Sequence, residues 1–148
     1  MTDYVTLCSQ IKALTDGVPY KIANLANVAA CLYMELPDVS WVGFYLEEDG
    51  ALVLAPFVGK PACVRIEHGR GVCGTAFSEC RTVIVPDVHA FPGHIACDSA
   101  SRSEIVVPLV RDGAPVGVLD IDSESLGRFT EEDREGLERI ARRIETFL

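Results

Sequence analysis

Two aspartates in one strand-like run are the least ordinary feature of this sequence. In Val116-Gly117-Val118-Leu119-Asp120-Ile121-Asp122, strand alternation puts Asp120 and Asp122 on one face, about 7 Å apart. The same face carries Val116 and Val118. Glu104 opens the run Glu104-Ile105-Val106-Val107 and can face the same side. Carboxylates on an apolar face are costly without partners, and neither run contains Lys or Arg. Such a set calls for a cationic ligand, or it holds protons with raised pKa values. Emergence of the strand end into solvent explains Asp122 about as well, and Asp120 less well.

Cysteine is the second chemical signal. The chain has 6 cysteines, and most free cysteines in proteins are packing residues. Cys97 is poorly explained that way, because it sits among small and polar residues in His94-Ile95-Ala96-Cys97-Asp98-Ser99-Ala100-Ser101-Arg102. His94 and Arg102 would favour its thiolate, the reactive form. Cys63 and Cys73 flank the glycine-rich turn Glu67-His68-Gly69-Arg70-Gly71, whose mobility would bring a second thiol to Cys97. Cys73 also lies near a helix start, which favours thiolate. A loop cysteine with others in reach suggests a reactive and resolving pair. Trp41 and Tyr45 share a strand face and suit a polarizable sulfur ligand, although ordinary core packing explains them too. His68, His89 and His94 fall in the same loops as the cysteines, but their spacing matches no standard zinc pattern.

These residues need a frame. Helical spacing of apolar residues predicts helices over 4–14 and 20–36, the second ended by Pro37. Cys8 and Cys31 sit in those stripes as packing residues. The period then changes to strands over 41–46 and 51–58, joined by Glu48-Asp49-Gly50. A loop follows over 59–71, with a short strand near Cys63–Ile66. Next come a short helix over 72–80 and a strand over 82–85 stopped by Pro86. The stretch 87–102 reads as a long ordered loop, the kind that usually carries function. Strands over 105–110 and 115–121 are joined by Arg111-Asp112-Gly113. Thr130 caps a last helix with Asp133 three residues on. A mostly antiparallel sheet, with helices on one face and ligand-covering loops on the other, accommodates this order as an α+β fold.

Composition narrows the partners. The 148 residues suit one domain, 1–148, and an apolar share of 49% supports a full core. A net charge of −9 argues against nucleic acid and anionic membrane surfaces. No run is apolar enough to span a bilayer, and the start, Met1-Thr2-Asp3-Tyr4, does not read as a signal peptide. A cytoplasmic location is expected.

Several of these runs carry a family resemblance: Trp41-Val42-Gly43-Phe44-Tyr45, Gly69-Arg70-Gly71-Val72-Cys73-Gly74-Thr75-Ala76, Val85-Pro86-Asp87-Val88, His94 through Pro108, and Gly117 through Ser123. The sequence resembles the free methionine-(R)-sulfoxide reductases, enzymes built on a single GAF domain, over nearly its whole length. The resemblance implies Cys97 as nucleophile, with Cys63 and Cys73 as the other redox cysteines, Cys63 favoured over Cys73 as the resolver and the choice between them left open. It implies Glu104, Asp120 and Asp122 as substrate-binding acids, and Trp41 and Tyr45 as pocket wall. It also implies a sulfenic acid on Cys97, an intramolecular disulfide, proton donation by Glu104 or an aspartate, and regeneration by a thioredoxin-type thiol with no metal or organic cofactor. A homodimer is compatible with it. Glu67-His68 departs from the expected less charged pair, and Cys8, Cys31 and Cys80 have no counterpart. Two other readings account for parts of the sequence: a non-catalytic GAF sensor of small molecules, and a metal module built from the cysteine and histidine loops.

Overall fold

The computed structural model describes residues 1–95, 97 and 99–148; Ala96 and Asp98, part of the expected polar loop, lie outside the described residues. In chain order the elements are α1 (Tyr4–Thr15), α2 (Lys21–Glu35), β1 (Trp41–Glu48), β2 (Ala51–Val58), β3 (Arg65–Glu67), α3 (Gly71–Glu79), β4 (Val83–Val85), β5 (Ser103–Arg111), β6 (Ala114–Ser123) and α4 (Glu131–Glu145). A 3-10 turn covers Val88–Ala90. The strands form one sheet in the order β3-β2-β1-β6-β5-β4, with antiparallel neighbours throughout.

Local chemistry sets the turns and ends. Both tight hairpins carry an Asp-Gly pair at positive φ, Asp49 at 51° with Gly50 at 79°, and Asp112 at 53° with Gly113 at 78°. Two consecutive left-handed residues twist in the sense the flanking strands need. Helix α4 begins with a full capping box between Thr130 and Asp133. Buried Asp133 also accepts the Tyr4 hydroxyl at 2.6 Å and pairs with Arg128 at 3.0 Å, which ties α1 to α4.

The sheet separates two apolar clusters. On one side, α1, α2 and α4 pack Leu7, Ile11, Leu25, Leu32, Leu137 and Ile140 against Val42, Phe44, Leu119 and Ile121. Cys8 and Cys31 are half-buried against this core, as expected of packing residues. On the other side, Trp41, Tyr45, Val106 and Val118 meet Val72, Cys73, Ala76 and Phe77. The face expected to be covered by loops therefore carries α3 as well, because the helix buries its own apolar residues there. Val116 also differs from its expected place beside the aspartates. Strand β6 pairs Gly117 with Leu109 but Pro115 with Val110, so Val116 is the extra residue of a bulge. A bulge breaks alternation, and Val116 packs against the helix-side core.

Gly43 lets an aromatic side chain lie flat over the sheet. A Cβ there would stand 2.4 Å from Phe57 Cβ and 2.5 Å from Trp41 Cη2. Trp41 instead stacks on Phe57 at 5.3 Å between ring centroids. Gly43→Ala should cost about 1–3 kcal/mol, the usual range for overpacking. A urea midpoint unchanged from the parent would show that the two rings give way freely.

Candidate active site

The three acids come together through sheet register. Asp122 lies opposite Trp41 on β1 and opposite Glu104 on β5; Asp120 lies opposite Gly43 and Val106. Glu104 is thus a direct neighbour of Asp122 and a diagonal neighbour of Asp120, within side-chain reach. Glu104 and Asp120 are buried at 7% and 6% exposure, whereas Asp122, nearer the strand end, is half-buried. One carboxylate oxygen each of Asp120 and Glu104 and the Cys73 sulfur lie within 4.8 Å of one another. Asp120 Oδ1 is buried and accepts no hydrogen bond from the described residues.

Burial is the main reason both carboxyls titrate well above their ordinary range; each is pushed further by a neighbouring acid. Both carboxyls therefore favour the protonated form, and a nearby cation would favour the charged one.

Trp41 and Tyr45 form the wall beside the acids, both almost fully buried, with ring centroids 6.2 Å apart. Each also places its polar tip. Trp41 Nε1 donates to the Lys60 carbonyl at 3.0 Å, and the Tyr45 hydroxyl donates to the Cys63 carbonyl at 2.9 Å. These bonds hold the 60–63 stretch above the sheet. There Cys63 is disulfide-bonded to Cys97, with Cα atoms 5.6 Å apart across 34 residues of sequence. The base of the 87–102 loop is ordered: Val88 N–H donates to the Arg102 carbonyl, and Arg102 N–H to the Ser123 carbonyl, each at 2.8 Å.

One cavity unites these groups. Trp41, Tyr45, Cys73, Cys97, Glu104, Asp120 and Asp122 all line it. Its volume of about 50 Å³ is room for a few waters in this disulfide-linked state. Lys60, Arg70, Ile95 and Ser101 line it too. These were not singled out in the sequence. Arg70 lies between two glycines of the turn beside Cys73, and that adjacency was the only available signal.

Three expectations about thiol activation need correction. Cys73 is buried, and its thiol is pushed well above its ordinary range by burial and then by Asp120, Glu104 and Asp122. Those acids outweigh the helix start, so Cys73 is a protonated thiol rather than a thiolate. The pKa of His94 is lowered by partial burial and by nearby His89, so it is neutral near pH 7 and adds no positive charge beside Cys97. Arg102 points to solvent and is not among the cavity-lining residues. The glycine-rich turn is held by backbone bonds: Gly69 N–H to the Gly74 carbonyl, Arg70 N–H to Glu67, and Gly74 N–H to Arg70. The thiol paired with Cys97 comes from upstream of that turn. The histidines do not join a metal cluster among the described residues: His68 stacks on Phe77 at 4.5 Å, and the His89 and His94 rings meet edge to face at 6.4 Å. Cys80 is exposed at the end of α3.

Fold and site together define a GAF domain, and residues 24–148 match that family. The chain is 53% identical to the free methionine-R-sulfoxide reductase of Escherichia coli, over 98% of this chain and 88% of that protein. Its structure is similar to fRMsr of Staphylococcus aureus in the reduced form, with a TM-score of 0.96 and 51% identity over 100% of this chain and 96% of that one. It is also similar to the free methionine-R-sulfoxide reductase of Neisseria meningitidis in complex with its substrate, with a TM-score of 0.95 and 49% identity over 97% and 87% of the two chains. The chain belongs to the free methionine-R-sulfoxide reductase family of GAF-domain proteins.

The raised carboxyls have a stability signature. A group whose folded pKa lies above its unfolded value stabilises the fold below the unfolded pKa, and that contribution is lost as pH rises through the folded pKa. Asp120→Asn removes one such group. Its melting temperature should match the parent near pH 4 and exceed it by a few degrees at pH 8, with the disulfide intact in both proteins. A parent that melts above the variant at pH 8 would mean that Asp120 is stabilised as a carboxylate.

Proposed function

We propose that this chain reduces free L-methionine-(R)-sulfoxide to L-methionine, with Cys97 as nucleophile and Cys63 as resolving cysteine. One observation carries the reading: the Cys63–Cys97 disulfide joins a cavity lined by buried, proton-holding acids and an aromatic wall. A sensor domain needs a cavity but has no use for such a thiol pair.

The chemistry balances on these groups. The Cys97 thiolate attacks the sulfoxide sulfur, and a protonated carboxyl, Glu104 or an aspartate, delivers a proton to the sulfoxide oxygen. The substrate S–O bond breaks, its oxygen passes to Cys97 as a sulfenic acid, and the thioether leaves as methionine. Two electrons have moved from the thiol to the substrate. The Cys63 thiol then condenses with the sulfenic acid, releasing water and forming the disulfide. An external dithiol of the thioredoxin type reduces that disulfide by exchange and is itself oxidised. Thiols supply both electrons, so the cycle uses no metal or organic cofactor. The cytoplasm, where such reductants keep thiols reduced, suits it.

Substrate recognition follows from charge. The substrate ammonium pairs with the Glu104, Asp120 and Asp122 set, which releases protons as the cation enters. Arg70, which lines the same cavity, suits the substrate carboxylate. Trp41 and Tyr45 pack the polarizable sulfur. A methionine sulfoxide within a peptide has an amide where the ammonium should be, so the acids would remain unpaired. Sites built for a polar group reject analogues lacking it by up to roughly 10⁴-fold.

The test is incubation with dithiothreitol and free L-methionine-(R)-sulfoxide, the S epimer, or an N-acetylated, C-amidated derivative, with the thioether product measured by chromatography. Turnover is expected on the free R epimer alone, and Cys97→Ser should abolish it. Comparable rates on the blocked derivative would remove the role given to the acids. Retained turnover in Cys97→Ser would remove the nucleophile.

A further inference from the structure

Cys73 is the one cavity thiol that the proposed cycle leaves unused. Its Sγ and one carboxylate oxygen from each of Glu104 and Asp120 lie within 4.8 Å of one another. All three residues are buried. Asp120 Oδ1 offers a buried lone pair that accepts no hydrogen bond from the described residues.

We propose that Cys73, Glu104 and Asp120 form a binding site for a borderline-soft divalent cation, with zinc as the ion that fits. Zinc binds thiolate sulfur at about 2.3 Å and carboxylate oxygen at about 2.0–2.2 Å in tetrahedral array. Ligand atoms around such an ion stand roughly 3.3–3.8 Å apart, as those bond lengths require. Modest side-chain rotation closes the present cluster to that size. The supports are firm: Asp120 lies on central strand β6, Glu104 on its neighbour β5, and Cys73 in the first turn of α3. A water from the cavity completes four-coordination. Magnesium and calcium would need six or more hard oxygen donors, and a thiol is a poor substitute for one.

The site is distinct from the cysteine and histidine loops considered in the sequence. It includes no histidine, and it leaves the Cys63–Cys97 disulfide intact because Cys73 is not part of that bond. Binding exchanges protons on the thiol and carboxyls for one dication. The ion thus satisfies the same buried acids that would otherwise have to stay protonated. The inference concerns metal affinity alone and does not rest on the reductase activity.

The experiment uses the full chain with Cys8, Cys31 and Cys80 changed to serine and the Cys63–Cys97 disulfide formed. Cys73 is then the sole free thiol among the six cysteines. Equilibrium dialysis against zinc should give about one tightly held ion per chain, on the site count argued above. Titration with cobalt(II) should produce a thiolate-to-metal absorption band, which only Cys73 can supply. Glu104→Gln and Asp120→Asn should each weaken zinc binding by about tenfold or more. No thiolate band at saturating cobalt would overturn the proposal in the parent protein itself, whatever the variants do. Zinc retained undiminished by Cys73→Ala would overturn it as well.

Discussion

The structure depends on keeping the carboxyl groups of Glu104 and Asp120 buried together on one β-sheet face. Asp120 and Glu104 sit on adjacent central strands, within 4.8 Å of each other and of the Cys73 sulfur. Desolvation drives both toward the protonated form; Asp120 pushes Glu104 further and Asp122 pushes Asp120 further. A pair held this way favours the protonated form and suits a positive charge. Both properties are useful only if the space above the acids is shielded from bulk water. The α3 helix and the two loop segments over the sheet supply that shielding.

The two sheet faces divide the work. The helix-side core, built by α1, α2 and α4, contains the largest apolar cluster and fixes strand register. Register in turn decides which side chains share a rung, and a one-residue slip would send every acid to the wrong face. On the other face, packing and site chemistry use the same residues. Trp41 and Tyr45 bury their rings in the second core, while their N–H and O–H groups hold the carbonyls of Lys60 and Cys63. The aromatic wall of the cavity therefore also positions the segment that carries one half of the disulfide.

Much of this was legible from residue order. Alternation placed Trp41 and Tyr45 on one face, as found. It placed Asp120 and Asp122 together, and both Asp-Gly hairpins formed where the sequence set them. Val116 was misplaced because a bulge is a property of two strands pairing, which one strand's pattern does not contain. The charge state of Cys73 was misread for a similar reason. A helix start is visible in sequence, whereas acids arriving from other strands are not. His94 likewise lost its expected charge to partial burial and to His89 beside it.

Sequence by itself determined the strand and helix periods, the turns, the caps and the presence of acids that an apolar strand should not contain. Each of these is set by interactions within a few residues along the chain. The tertiary structure bonds Cys63 to Cys97 and leaves Cys73 a free thiol in the same cavity. It also decided that Glu104 lies beside Asp120 and Asp122, and that Lys60 and Arg70 border the same cavity. Those pairings join residues tens of positions apart, and their geometry follows from sheet order and packing. The pKa of a buried acid is likewise a sum over neighbours in space, so it exists only once the chain has folded around it.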